Sequence, residues 1–336
     1  MIDCSRRAFL GTAVGAAPLL GTAEPKGPAV SLTHGGDRRK NVYRALAAID
    51  DQIKPQLAKK KYVLLKPNCV AVNNQLGSTH ADALRGILDY LEPRFRGPVV
   101  IADSSKDVTW DAYENFGYRK ALSEYRSLNT KLVDLNDEEE FVSHQIIDKN
   151  LHLANVKLAG RLFDPDAFIL GSAILKAHDN VVVTLSVKNL VMSAPLHQSR
   201  KEKKEWHHKY AYHAGYRQIQ MNIGLTARRM RPFWGATVID GYEGMEGEGP
   251  LRGTPVASRL AIASTDFVAA DRVGVEVMGV DPAWPGYLNY CAEAGLGEYR
   301  LSRIELRKET EIAALRKKYQ LHPRIDRQLE WMGPLG

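Results

Sequence analysis

Short apolar runs that end on a charged side chain alternate along this chain with segments of helical periodicity, and few folds accommodate that pattern. Tyr62 to Leu65 run straight into Lys66, and "GPVVIADSS" ends its apolar part at Asp103. "DAFILGSA", Asp166 to Ala173, stops just before Lys176 and His178, and "GATVIDG" reaches Asp240. A third short strand, Lys131 to Leu135, and "RLAIAS", Arg259 to Ser264, complete the set. Between them, Leu84, Ile87, Leu88 and Leu91 fall at i, i+3, i+4 and i+7, which predicts a helix. Helical spacing recurs over Asn41 to Ile53, closed by Pro55 and Lys59 to Lys61, over Thr109 to Tyr125, and over Asp266 to Met278. Strand, helix, strand in repetition is the signature of parallel pairing through right-handed crossovers. The expected fold class is therefore α/β, a mainly parallel sheet flanked by helices, with two lobes and a cleft as one arrangement. Val181 to Met192 fits strand and helix equally well.

The N-terminus reads differently. "SRRAFL", Ser5 to Leu10, pairs two arginines with an apolar run to about Leu20, the pattern of a twin-arginine export signal over residues 1–23. That run is too short to span a bilayer, which takes about 20 apolar residues. The expectation is a periplasmic or extracellular protein that meets the twin-arginine translocation machinery and keeps no stable membrane anchor. A polar linker is expected over 24–40, an α/β core over 41–294, divisible near 165 into two lobes, and a charged helical extension over 295–336. With 44% hydrophobic and 25% charged residues, the composition is that of a folded chain. The net charge is +7, and removing Arg6, Arg7 and Asp3, a net +1, leaves +6. Export argues against nucleic acid, so a mild positive field points to anionic small molecules or cell-envelope polymers.

Open parallel sheets bind ligands outside the carboxyl ends of their strands. Lys66, Asp103, Lys176 with His178, and Asp240 all fall at such ends, which is why they are taken together. Each has an ordinary reading alone: a lysine at a strand end is usually solvated, and an aspartate after a strand is often a helix cap. If Lys66, Lys176 and Lys188 converge, two ammonium groups about 6 Å apart repel by roughly 3 kcal/mol at an effective dielectric of about 20. Such a cluster requires Asp103 and Asp240 as internal counterions, a bound phosphate or carboxylate, or a neutral lysine able to act as a base.

Two further constellations stand out. "VIDGYEGMEGEGPLRG", Val238 to Gly253, is rich in glycine and acidic residues, among them Asp240, Glu246, Gly247 and Gly249. It suits a divalent metal or a polyol and matches neither a phosphate loop nor a calcium loop. "EWHHKYAYH" carries His207, His208 and His213, imidazoles at a spacing unlike standard zinc motifs, open to surface or acid-base roles. Only Cys69 and Cys291 follow the leader, too few for an ordinary four-cysteine iron-sulfur cluster, and two separately buried thiols are expected.

"VLLKPN", "ILKAHDNVVVTLSVKNL" and "VIDGYEGMEGEGPLRGTP", in that order, resemble the bacterial family catalogued as domain of unknown function, family number 362, across roughly Tyr62 to Gly279. The resemblance highlights Lys66, Asn68, Lys176, His178, Lys188, Asn189, a histidine of Trp206 to His208, Asp240, Glu246, Gly249 and Pro250. Some members carry ferredoxin-like segments, from which this sequence departs. The layout also resembles the N-terminal half of lactate-racemase-type proteins, which use nickel. The resulting expectation is an enzyme in which Lys66, Lys176 and Lys188 hold an anionic substrate. His178, His207 or His208 would move a proton, Asn68, Asp103, Asn189, Gly247 and Gly249 would line the ligand, and Asp240 and Glu246 would bind a cation. A non-catalytic binding protein for an anion or metal is the competing expectation, and an accessory envelope protein a third.

Overall fold

The computed structural model describes residues 27–199 and 204–334; the expected export signal lies outside the described residues. The strands, in chain order, are β1 Ala29–His34, β2 Tyr62–Lys66, β3 Val99–Asp103, β4 Thr130–Asp134, β5 Phe141–Ile147, β6 Leu153–Ala159, β7 Ala167–His178, β8 Val182–Thr184, β9 Gln198–Ser199, β10 Lys204–Glu205, β11 Trp234–Glu246, β12 Thr254–Val256, β13 Leu260–Ser264 and β14 Glu305–Lys308. Ten of them form one sheet in the order β14-β1-β13-β11-β7-β2-β3-β4, with β12 on β11 and β8 on β7. The run β11-β7-β2-β3-β4 is parallel throughout, as the alternation requires. β13 pairs antiparallel with both β11 and β1. β5 with β6, and β9 with β10, are separate antiparallel hairpins.

Helices cover both faces. On one lie α1 Arg38–Ala47, α2 Asp50–Leu57, α3 Ala81–Leu91, α4 Thr109–Asn115 and α5 Tyr118–Ser123, packed with Val63, Leu65, Val99 and Ile101 in one buried cluster. On the other lie α6 Ser186–Val191, the short α7 His208–Ala211, α8 Tyr216–Met230, α9 Phe267–Val277 and α10 Gly286–Glu293, around Leu64, Val100, Ile169 and Ile239. The period of two along a strand sends Val63 and Leu65 one way and Leu64 the other. The α3 stripe of Leu84, Ile87, Leu88 and Leu91 is buried, each side chain stabilising the fold by about 1.5–3 kcal/mol.

Several boundaries differ from the sequence expectation. The stretch expected as a linker contains β1, whose Ala29, Val30 and Leu32 are fully buried. Its polar look is misleading because the Ser31 and Thr33 hydroxyls donate to the Ala45 and Asn41 carbonyls at 2.6 and 2.9 Å, which removes their desolvation cost. Asp37 then caps α1 by accepting from the Lys40 N–H. Pro55 does not stop a helix but sits inside α2, where the carbonyl it cannot reach belongs to the exposed Asp51. The segment expected as a helical extension supplies β14, a charged edge strand beside β1. Val181 to Met192 resolves into both options, β8 followed by α6.

Candidate functional site

The register of the parallel strands decides which polar ends meet. Lys66 is level with Gly171 of β7, and Leu65 with Ile101 of β3, so Lys66 and Asp103 close neighbouring strands at the same rim. Their side chains form a buried ion pair of 3.0 Å. β7 overshoots this rim and carries Lys176 and His178 beyond it, where β8 folds back antiparallel to place Thr184 opposite Lys176 and Val182 opposite His178. α6 starts immediately afterwards. Its first two N–H groups, of Ser186 and Val187, donate to the buried Asp271 carboxylate of α9 at 2.6 and 2.9 Å. Val187, Leu190 and Val191 join the core, and the same short helix delivers Lys188 and Asn189 to the rim.

The result is a cavity of about 350 Å³ whose lining includes Lys66, Asn68, Asp103, His178, Lys188 and Asn189. Lys66 Nζ donates to Asn189 Oδ1 at 2.9 Å and to the Pro67 carbonyl. Lys176 stands behind the lining, fully buried, and donates to Asn68 Oδ1 at 2.6 Å and to the Gly77 carbonyl at 2.7 Å. Asn68 Nδ2 donates in turn to Asn189 Oδ1 at 2.7 Å. The two asparagines, expected to orient a substrate, use these amide atoms to hold lysines in position. Asp103 accepts the Cys69 and Ser104 N–H groups at 2.7 Å each as well as pairing with Lys66. Cys69 and Cys291 are buried free thiols.

Three cavity residues, Lys209, Tyr210 and His213, come from the segment between Ser193 and Gly215. Lys209 of α7 donates to the Ser104 carbonyl and to Ser104 Oγ at 2.9 Å, and His213 lines the cavity beside it. One helical turn separates them, and that i, i+4 spacing is the one sequence signal that could have singled them out together. His213 Nδ1 lies 3.1 Å from the Lys209 carbonyl, so Nδ1 carries the proton and Nε2 is a bare acceptor. His178 has the complementary tautomer. Its Nδ1 accepts the Asn180 N–H at 3.0 Å, which puts the proton on Nε2, although the Asp179 carboxylate also lies 3.1 Å from Nδ1.

Burial governs the protonation of this group. It pushes Lys188 down to about 8, opposed by Asp179 and helped by Lys209 and Lys66. Burial likewise takes Lys209 to about 8 and Lys176 well below the ordinary lysine value, the latter with Lys188 and Lys66 adding to the effect. It holds His213 near 4 and His178 well below the usual imidazole value, so both rings are neutral at physiological pH.

The remaining expected residues fall elsewhere. His207 is exposed, 3.1 Å from Glu205 Oε2, and neither it nor His208 is in the cavity lining; the imidazole that reaches it from this segment is that of His213. Asp240 and Glu246, expected to bind a cation, have partners within the chain. Asp240 is a buried counterion to Arg38 at 3.1 Å, and Glu246 accepts the Gln320 N–H at 2.8 Å. Among the described residues no three His, Cys, Asp or Glu side chains are grouped to hold a metal. Gly247 and Gly249 are not in the cavity lining and shape the loop beside it. Gly247 has a φ of +73°, and a Cβ on Gly249 would strike the Ala177 carbonyl. The loop they form brings Pro250 and Leu251 to the mouth of the cavity.

Fold and site together define a class, a layered α/β protein with a lysine-rich cavity at the carboxyl rim of its parallel strands. More narrowly, the chain belongs to the family described as "Domain of unknown function (DUF362)", whose model matches residues 63–276. It is 26% identical over 227 residues to a thylakoid-associated protein of a Synechocystis species, covering 66% of this chain and 64% of that protein. The chain thus spans a little under two thirds of that relative's length. A crystal structure of a Thermotoga maritima protein aligns with a TM-score of 0.38 and 10% identity, over 77% of this chain and 60% of the other. No described helix is long and apolar enough to cross a membrane.

Proposed function

We propose that this chain is an enzyme that takes an anionic small molecule into the lysine-rich cavity and moves a proton on it with histidine and lysine side chains. One observation carries the reading: Lys66, Lys106, Lys188 and Lys209 line one cavity in which Asp103 and Asp179 are the carboxylates of the lining. A low-dielectric site with surplus positive charge favours an anion of small size. His213 offers a bare Nε2 to accept a proton and His178 an N–H to hold an oxygen, the division of labour that acid-base chemistry needs. Isomerisation, elimination and hydrolysis all share that proton transfer. Export through the twin-arginine route is part of the same proposal, resting on Ser5 to Leu10; fractionation of cells carrying the chain with Arg6 and Arg7 changed to Lys should show it retained in the cytoplasm.

The test combines binding with exchange. A panel of phosphorylated and carboxylated metabolites is screened by thermal shift, and any ligand that protects is incubated with the protein in D2O and followed by NMR. The expected result is protection by at least one anion, with wash-in of deuterium or conversion that disappears in His213→Ala while protection persists. Protection without exchange or conversion would make this a binding protein, and no protection at all would remove the basis of the reading.

A further inference from the structure

The four buried lysines at the rim are not equivalent. Lys66 is fixed by the Pro67 carbonyl, Asn189 and Asp103, Lys176 by Asn68 and Gly77, and Lys209 by both acceptors of Ser104. Lys188 has the same burial, 6% exposed, yet no described residue accepts a hydrogen bond from its Nζ. It also lies in the cavity lining, held on a helix whose N-terminus is anchored to the buried Asp271. Its Nζ therefore keeps its N–H donors free toward the cavity, where a ligand atom can meet it.

We propose that Lys188 is a nucleophile that forms an imine with its substrate, so that the ligand class is an aldehyde or ketone bearing a carboxylate or phosphate. This rests on the anion-site reading above and assigns the substrate class to it. Lys209, which keeps one N–H beyond its two bonds to Ser104, takes the anionic group while Lys66 adds its charge, and the carbonyl carbon faces Lys188. Lys188 reacts from its free-amine fraction, the ammonium having passed a proton to solvent water; the amine adds to the carbonyl carbon, making an N–C bond as the C=O π pair moves to oxygen. A proton passes from nitrogen to that oxygen, the hydronium returns its proton to the resulting hydroxyl, and water leaves as the nitrogen lone pair closes the C=N bond. Ammonium plus carbonyl has become iminium plus water, with no oxidant or reductant consumed. At pH 7.5 a lysine titrating at about 8 is roughly a quarter free amine, against about one part in a thousand for an ordinary lysine.

The full chain is incubated with pyruvate, and separately with pyridoxal 5′-phosphate, each with sodium cyanoborohydride, and modified lysines are located by peptide mass mapping. The expected outcome is a reduced adduct on Lys188 forming at least tenfold faster than on the exposed Lys131, and absent from a folded Lys188→Arg variant. Labelling confined to surface lysines, or no faster at Lys188 than at Lys131, overturns the proposal; should Lys188→Arg fail to fold, the wild-type map decides alone. Thermal protection by inorganic phosphate separates the two claims. Protection without an adduct sinks the imine and leaves the anion site standing, whereas neither adduct nor protection sinks both.

Discussion

At the residue scale, the site depends on buried charges whose partners are few. Asp103 holds the Lys66 ammonium and two backbone N–H groups, so Asp103→Ala leaves a buried cation and two donors unsatisfied. Breaking a buried pair from one side costs about 3–5 kcal/mol, and urea unfolding should show a loss of that order. Lys188 is the opposite case. Lys188→Met removes a buried cation that has no hydrogen-bond acceptor, and the melting temperature without ligand should rise while affinity for a protecting anion falls at least about tenfold, or ~1.4 kcal/mol. Lys66, Asp103, Lys176 and His178 were legible in the sequence because sheet topology alone sends strand ends to one rim. Lys209 and His213 were seen only as part of a polar run, since their approach to Ser104 and Lys188 depends on a loop whose path no local pattern dictates.

At the scale of elements, the loop after β11 and the short helix α6 frame the cavity, and each has a close backbone contact or buried acceptor that can be tested. Gly249 packs against the backbone of β7 at Ala177, where rigid backbone leaves no room for a Cβ. Gly249→Ala should cost about 1–3 kcal/mol by overpacking and displace Pro250 and Leu251 from the mouth, read as a lower melting point together with weaker anion protection. Asp271→Asn replaces one of the two acceptor oxygens under α6 with an amide that cannot accept. Chemical denaturation should show a loss of about 1–3 kcal/mol. The sequence announced the parallel core strands clearly because both of their faces are buried and they read as unbroken apolar runs. β1 and β14 escaped it for opposite reasons, one because its hydroxyls are satisfied by backbone carbonyls, the other because an edge strand is charged.

For the whole molecule, the sheet is a device for gathering positive charge at one rim, and pH should expose it. Lys188 and Lys209 are brought to about 8 by burial, below the ordinary value of 10.5. Between those limits the unfolded chain binds more protons than the folded one, so these lysines make stability without ligand rise with pH from about 8 to 10.5, with no contribution to the slope below about 7. Ligand binding runs the other way, because an anion prefers the protonated lysines and loses them as pH climbs through 8. The most direct test is therefore a thermal-shift titration of protecting anions at pH 7 and pH 9.5, on the wild type and on Lys188→Met. The account predicts strong protection of the wild type at pH 7, weak at pH 9.5, and weak in the variant at both. Absence of protection by any phosphate or carboxylate at pH 7, or protection that is the same at both pH values and in the variant, would contradict it.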